Sequence, residues 1–169
     1  MKITEKYVYF WGEWLSNFTN APFTTKVNGK EHKFYNSEQY FMFLKAITFD
    51  DEKIANRILT EGIDPKRAKN LGRKVSNFDN EKWDRVKYKI MKKANMLKYT
   101  QNQHLLNKLL DKQFDGKHFV EASPYDEIWG IKCSVEDAKD DKSNWNGQNL
   151  LGQVLDEVRE TLINENKQF

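Results

Sequence analysis

Apolar residues recur along the chain in two periods, one typical of β-strands and one typical of α-helices. Residues 7–11 (YVYFW) form an apolar, β-favouring run that predicts a strand. Residues 22–35 predict a β-hairpin that turns at Asn28-Gly29, because both residue types tolerate the positive φ of a type I′ turn. Residues 118–122 predict a further short strand. The predicted strand content is therefore small.

Helical periodicity covers most of the remaining sequence. Asn36 is a favourable N-cap and Gln39 follows three residues later, so a helix that opens with a capping box is predicted to run to about residue 46. Further helices are predicted over residues 51–60, from Pro65 behind its cap Asp64, over 81–98, around 105–110 and over 148–164. The predicted fold class is α+β, helix-rich with a small β-sheet. Without repeats or linkers, residues 1–169 are predicted to form a single domain.

The predicted helix 81–98 has two contrasting faces. Its apolar residues recur at three- and four-residue steps, as expected for a buried stripe: Trp83, Val86, Ile90, Ala94 and Leu97. Its lysines are predicted to fill the other, solvated face: Lys82, Lys87, Lys89, Lys92, Lys93 and Lys98.

Composition narrows the class of protein. The formal charge of +3 and the pI near 8.8 are too small an excess to predict a dedicated DNA-coating surface. No run approaches the ~18 apolar residues that span a bilayer, and the N-terminus lacks a signal-peptide pattern, so we expect a cytoplasmic protein without a membrane partner. Cys133 is the single cysteine, and His32, His104 and His118 are scattered, so neither a metal nor a cofactor is predicted.

An acidic, aromatic segment follows the predicted strand 118–122. Residues 121–131 (EASPYDEIWGI) combine three carboxylates, Glu121, Asp126 and Glu127, with a proline, Trp129 and a glycine. A solvated loop has no need of a tryptophan, and a packed core has no use for so many acids. The mixture suits a site in which a flat ring is held next to groups that stabilise positive charge.

Glu38 and Lys45 lie seven residues apart on the helix predicted after Asn36. Seven residues are close to two turns, so both side chains project from one side, ~10 Å apart along the axis. The apolar neighbours of Lys45 favour partial burial, which lowers a lysine pKa and makes the amine available to attack a sugar carbon. The alternative is an ordinary first-turn glutamate and a lysine whose ammonium extends into solvent.

Two further positions suit an anionic ligand. Arg73, next to Gly72, can bind a phosphate in a forked geometry, whereas the glycine can equally be a routine helix C-cap. Asn149 lies at the mouth of the last predicted helix, whose N-terminus can hold an anion. A plain cap at Asn146 or Asn149 is the alternative. The acidic segment, Glu38, Lys45 and Arg73 together outline a site for a sugar that carries a phosphate and an aromatic base.

Several ordered sequence blocks resemble the NADAR superfamily, also called the YbiA-like family. The blocks are 10–18 (FWGEWLSNF), 21–23 (APF), 37–40 (SEQY) with 45–46 (KA), 71–73 (LGR), 121–124 (EASP), Asp126 with 129–130 (WG), 145–149 (WNGQN) and 151–152 (LG). They cover nearly the whole chain in the expected order. The resemblance implies an N-glycosidase that acts on ribose attached to nitrogen.

The resemblance also implies site residues and substrates. Glu38, Lys45 and Asp126 are the implied catalytic residues, with Lys45 the candidate for a covalent imine. The implied substrate contacts are Trp11, Asn17, Arg73, Glu121, Ser123, Trp129, Gly130 and Asn149. The expected substrate is ADP-ribose on guanine in a nucleoside or nucleic acid. The alternatives are the phosphoribosylamino-pyrimidine intermediates of riboflavin synthesis, and a non-catalytic module that binds ADP-ribose.

One position departs from the family pattern. The family often has a second glycine after its Trp-Gly-Ile, where this chain has Lys132. A longer, charged side chain there is expected to narrow the pocket or to add a phosphate contact. Substrate choice, more than chemistry, depends on this position. The sequence leaves the oligomeric state open.

Overall fold

A computed structural model describes residues 1–167, and it divides into two compact units. The first unit comprises Met1–Ser16 and the residues from His104 onward, and the second comprises Asn17–Gln103. The α+β, helix-rich class with a small sheet is confirmed. The assignment of the chain to a single domain stays a prediction.

The first unit is built on a three-stranded mixed sheet of β1 (Lys2–Ile3), β2 (Tyr7–Phe10) and β5 (His118–Glu121). β2 is antiparallel to β1 and parallel to β5. The unit also contains α5 (Gln103–Leu109), whose first residue belongs to the second unit, and α6 (Val135–Ala138). The last helix, α7 (Leu150–Asn166), packs on β5. Because the central strand β2 is buried along three of its four residues, the sheet forms the core of this unit.

The second unit contains the predicted hairpin and four helices. Strands β3 (Phe23–Val27) and β4 (Lys30–Phe34) pair antiparallel, and the turn between them has φ of 51° at Asn28 and 80° at Gly29, as a type I′ turn requires. The helices are α1 (Ser37–Thr48), α2 (Glu52–Glu61), α3 (Pro65–Gly72) and α4 (Asn80–Thr100). The prediction of the hairpin and of α1, α2 and α4 is confirmed to within two residues at each end, and the predicted start of α3 at Pro65 is confirmed.

The start of α1 differs from the predicted capping box. Asn36 caps the helix as expected, because its side chain accepts from the backbone N–H of Gln39 at 2.8 Å. Gln39, however, accepts from the N–H of Tyr35 and donates its amide to the carbonyl oxygens of Ile58 and Leu59. Gln39 is fully buried, so its amide satisfies backbone groups at the end of α2 instead of closing a local box.

The prediction for the faces of α4 was partly wrong. Trp83 and Ala94 are buried as expected, but the buried stripe continues through Met91, Asn95 and Lys98. Lys98 has no exposed surface, because it lies four residues after Ala94 and seven after Met91, on the same side of the helix. The other predicted lysines lie on exposed or half-buried positions.

Candidate functional site

Lys45 lies on α1 with its ammonium against two aromatic rings. Its Nζ is 4.7 Å from the centroid of the Phe78 ring and 6.0 Å from that of Trp83. The lysine is half-buried. This arrangement disagrees with a side chain that simply extends into solvent, and it agrees with the partial burial expected for an amine that reacts.

Two charged groups of the second unit, Glu38 and Arg73, act on Lys45. Burial lowers the pKa of Lys45, the charge of Glu38 raises it, and the charge of Arg73 lowers it further. Glu38 is itself 8% exposed, whereas Arg73 is exposed. The structure therefore brings together the acid, the amine and the guanidinium that the sequence assigned to one site.

The beginning of α1 is held by Asn17, which precedes the hairpin in the chain. The backbone carbonyl of Asn17 accepts the N–H of Glu38 at 3.1 Å. The Asn17 side chain is 8% exposed, donates to the Met91 sulfur at 3.2 Å and accepts from Asn95 at 3.4 Å. These contacts make Asn17 a residue that positions Glu38; its predicted contact with substrate stays a prediction.

Phe78 was not among the predicted site residues, although it is a single aromatic residue in the polar stretch 76–80. Its loop is anchored by Asp51, whose Oδ1 caps α2 at Ile54 and whose Oδ2 accepts from the backbone N–H and the hydroxyl of Ser76. Phe78 also contacts Phe49 at 5.3 Å between centroids. The sequence signal that could have identified Phe78 is a lone aromatic residue within a polar stretch.

Arg73 follows α3 directly. The adjacent Gly72 is the last residue of α3 and is buried, and a Cβ there would lie 1.9 Å from the Met42 sulfur on α1. Gly72 is therefore required for close packing of α3 on α1. The expectation of a routine glycine C-cap was wrong, because Arg73 occupies the capping position. This packing fixes the backbone from which Arg73 extends.

The acidic segment of the first unit forms a tight turn held by its own side chains. The Ser123 hydroxyl accepts the backbone N–H groups of Tyr125 at 3.3 Å and Asp126 at 3.2 Å. Asp126 Oδ1 in turn accepts those of Ile128 at 2.9 Å and Trp129 at 2.8 Å. One carboxylate oxygen of Asp126 is thus fixed by the backbone, which orients the other. Ser123 is 6% exposed and acts here through the backbone.

Glu121, Gly130 and Asn149 are joined by the backbone of the same unit. Gly130 is buried, and a Cβ there would lie 2.9 Å from the carbonyl oxygen of Glu121. The Asn149 Oδ1 accepts the N–H of Glu121 at 3.0 Å, and its Nδ2 donates to the Phe119 carbonyl at 3.0 Å. The expectation of a plain N-cap at Asn149 was wrong: it precedes α7 with φ of 54° and makes no capping bond.

Trp11 and Tyr125 form an exposed aromatic pair. Their ring centroids are 5.9 Å apart, with 56% of Trp11 and 80% of Tyr125 exposed. Trp129 is half-buried. The rings of Trp11 and Tyr125 are accessible to a flat ligand, as the predicted role of Trp11 requires.

Lys132 has a structural explanation. Its φ is 49°, a left-handed conformation that favours glycine, which accounts for the glycine often found there in the family. Its Nζ forms an ion pair with Glu127 at 2.8 Å, and both side chains are largely exposed. Lys132 therefore points to the surface of the segment with its charge already paired, which argues against the expected phosphate contact.

The predicted site residues fall into both units. Asn17, Glu38, Lys45 and Arg73 belong to the second unit, and the remaining ones belong to the first. That all of them line one pocket stays a prediction. Cavities of about 240 Å³ in the second unit and about 390 Å³ in the first contain none of these residues.

Within residues 1–167, no cluster of three or more His, Cys, Asp or Glu is arranged to hold a metal ion. No helix in this part of the chain has the length and apolar character to cross a membrane.

Comparison with known proteins gives a consistent family. The NADAR domain matches residues 9–163. The chain is 38% identical over 167 residues to the N-glycosidase R617 of Acanthamoeba polyphaga mimivirus, covering 93% of this chain and 96% of that protein. It is 33% identical over 151 residues to the N-glycosidase YbiA of Escherichia coli K12, covering 89% and 82%. The NMR structure of the E. coli protein YbiA matches with a TM-score of 0.75 at 28% identity, covering 99% of this chain and 91% of that one.

Proposed function

Since the chain belongs to the NADAR domain family and is, like its relatives, a hydrolase of N-glycosyl compounds, we propose that it removes ADP-ribose from guanine bases. The observation that carries the proposal is the environment of Lys45. A half-buried amine beside Glu38 and Arg73, against the rings of Phe78 and Trp83, combines a nucleophile, an acid and an anion contact in one place.

The amine is the proposed nucleophile. Burial lowers the pKa of Lys45, so a larger fraction of the side chain is neutral at a given pH. The neutral amine attacks C1′ of the ribose, and the bond between C1′ and the guanine nitrogen breaks. The nitrogen takes the electron pair and a proton from a carboxylic acid, for which Glu38 is the candidate.

Release of the sugar consumes one water. The ring oxygen leaves C1′ and takes the proton lost by the lysine nitrogen, which produces an imine between Lys45 and C1′. Water adds to C1′ and the bond to the lysine nitrogen breaks, which releases the ribose aldehyde and regenerates the free amine. The proton set free by this hydrolysis of the protonated imine returns to the Glu38 carboxylate. The sequence of steps needs no cofactor or metal.

Asp126 has the complementary role in the proposal. Cleavage of an N-glycosidic bond passes through a transition state with positive charge at C1′, which a carboxylate stabilises. The backbone bonds to Asp126 Oδ1 fix its orientation in advance of the reaction. The rings of Trp11 and Trp129 are the proposed contacts for the flat base, and the guanidinium of Arg73 is the proposed contact for a phosphate.

The proposal is tested by trapping. The protein is incubated with an ADP-ribosylated guanine oligonucleotide and borohydride, which reduces the imine, and the adduct is located by mass spectrometry. We expect an ADP-ribose adduct on Lys45, and we expect Lys45→Ala to lose at least about 10²-fold in turnover. Lys53→Ala removes the same charge from an exposed position on α2 and serves as the control. Full turnover in Lys45→Ala without any adduct would exclude the imine.

A second candidate substrate is a phosphoribosylamino-pyrimidine of riboflavin synthesis. It is favoured by the effect of Arg73 on the pKa of Lys45, because a guanidinium whose charge acts on the reacting amine suits a phosphate carried on the same ribose. The values of kcat/KM for the two substrates, measured side by side, distinguish the candidates. A cytoplasmic location is part of either proposal.

A further inference from the structure

The net charge of the chain is distributed very unequally between the two units. Residues 17–103 carry 18 Lys and Arg against 10 Asp and Glu, a net charge of +8, whereas the remaining residues carry 10 against 15, a net charge of −5. The net charge of the whole chain is only +3 because the charges of the two units partly cancel. A unit this basic attracts polyanions at long range.

The cations of α4 form an ordered row, which we name the α4 basic stripe: Lys82, Arg85, Lys89 and Lys93. All four are exposed, and their spacing of three, four and four residues places them on one side of the helix. At 1.5 Å per residue the stripe extends over about 16 Å.

The charges of the stripe are available to a partner. Lys89 and Lys93 form no ion pair with any residue among 1–167. Arg85 is 3.7 Å from Glu81, with both side chains more than half exposed, and such a surface pair contributes little. The stripe is therefore a row of solvated cations whose counterions a phosphate chain can displace.

The stripe begins at the surroundings of Lys45. The Nζ of Lys82 is 5.5 Å from the centroid of the Phe49 ring, and Phe49 contacts Phe78, the ring on which the Lys45 ammonium lies. Trp83, the residue after Lys82, is 6.0 Å from the same ammonium. A strand held along the stripe would thus have one end beside the reacting amine.

We propose that the α4 basic stripe binds the phosphate backbone of a polynucleotide, so that the substrate is an ADP-ribosylated guanine within a nucleic-acid chain, in preference to a free nucleoside. This inference rests on the proposed function for the identity of the modified base, and on the stripe for the claim that the base is part of a nucleic-acid chain. An anionic membrane is the less suitable partner. Stable attachment to lipid uses apolar residues that insert, and none of the exposed large apolar residues of the described chain lies on α4.

Binding to unmodified oligonucleotide is measured first, because it does not depend on catalysis. Fluorescence anisotropy with single-stranded and duplex oligonucleotides across a salt series compares the wild type, Lys89→Glu/Lys93→Glu and a control. The control, Lys26→Glu/Lys30→Glu, makes the same change in charge on exposed residues of the hairpin. We expect the α4 variant to lose about tenfold or more in affinity for the oligonucleotide. The slope of log K against log salt concentration, measured with single-stranded oligonucleotide, should become shallower by about 1.4. The control should retain most of its affinity.

Turnover separates this inference from the proposed function. We expect the α4 variant to have a raised KM for an ADP-ribosylated oligonucleotide and an unchanged kcat/KM for ADP-ribosylated guanosine. Equal oligonucleotide affinity in the two double variants, or binding to phosphatidylserine vesicles without binding to oligonucleotide, would overturn the inference and leave the proposed function standing. If no ADP-ribosylated guanine compound is cleaved while the α4 variant alone loses oligonucleotide affinity, the stripe is supported and the proposed function fails.

Discussion

The side-chain amide of Asn149 bonds to strand β5 as a neighbouring strand would, accepting from Glu121 and donating to the Phe119 carbonyl, both at 3.0 Å. It reaches the strand because Gly152, in the first turn of α7, has no side chain. A Cβ on Gly152 would lie 2.1 Å from the Phe119 oxygen and 2.3 Å from the Asn149 Nδ2. The asparagine and the glycine therefore act as a pair that joins α7 to the strand leading into the acidic segment.

Gly152→Ala is expected to lower the free energy of unfolding by about 2–3 kcal/mol, because the new methyl group overlaps a backbone oxygen and the Asn149 amide. Asn149→Ala should cost about 2 kcal/mol for two lost hydrogen bonds. In the double variant the losses should be less than additive, because the methyl group already displaces the amide. Denaturant unfolding measures all three, with the exposed Gln153→Ala as a control. Strict additivity would contradict the coupling.

The pKa of Lys45 should move in opposite directions in two charge-neutralising variants. Glu38 raises this pKa and Arg73 lowers it, so Glu38→Gln should lower it and Arg73→Gln should raise it. The pH dependence of acylation of Lys45 by a small reagent, followed by peptide mass spectrometry, reports the pKa without requiring turnover. Since only the neutral amine reacts, the pH at which the acylation rate begins to rise should be lower in Glu38→Gln and higher in Arg73→Gln than in the wild type. Shifts in the same direction would contradict the assigned contacts.

Lys98 should make stability depend on pH. Burial lowers the pKa of Lys98 from 10.5 to about 7, so between these values the unfolded chain holds a proton that the folded chain lacks. Stability contributed by this group therefore rises with pH above about 7, by up to about 1.4 kcal/mol per pH unit. Urea unfolding between about pH 7 and 9 measures the slope. Lys98→Met should flatten it, whereas Lys93→Met, at an exposed position of the same helix, should not. Equal slopes in the wild type and Lys98→Met would contradict the burial effect.

Lys132 offers a test of backbone conformation. Lys132→Gly relieves a φ of 49° but loses the ion pair to Glu127, whereas Lys132→Ala loses the ion pair and keeps the strained conformation. Because a left-handed conformation costs a residue with a side chain about 1–2 kcal/mol, we expect the glycine variant to be the more stable of the two by about 1 kcal/mol. Thermal unfolding gives the comparison. An alanine variant as stable as the glycine variant would show that the segment relaxes.

The environment of Lys45 was only partly predictable. Glu38 and Lys45 are seven residues apart, so helix periodicity predicts that both lie on one side of α1, and in the structure the charge of Glu38 raises the pKa of Lys45. The Phe78 ring against the amine was not foreseen, because it belongs to a loop whose path is set by the bonds of Ser76 to Asp51, 25 residues away in the chain.

The distribution of charge over the molecule depends on the tertiary structure. The net charge of the whole chain predicts no dedicated DNA-coating surface, and the division of the chain into residues 17–103 and the remainder separates a basic unit from an acidic one. Lys98 also depends on the tertiary structure. The sequence predicted it on the solvated face of α4 with the other lysines, but packing buries it completely.

By itself, the sequence determined the local elements of this protein, because strand and helix periods, the Asn36 cap and the Asn28-Gly29 turn depend on residues close together in the chain. It also determined the family, through ordered blocks that cover nearly the whole length. Tertiary structure alone decided which polar side chains serve the fold. Asn17, Gln39 and Asn149 satisfy backbone or buried groups far away in the chain, and buried polar groups must find such partners wherever the packing places them.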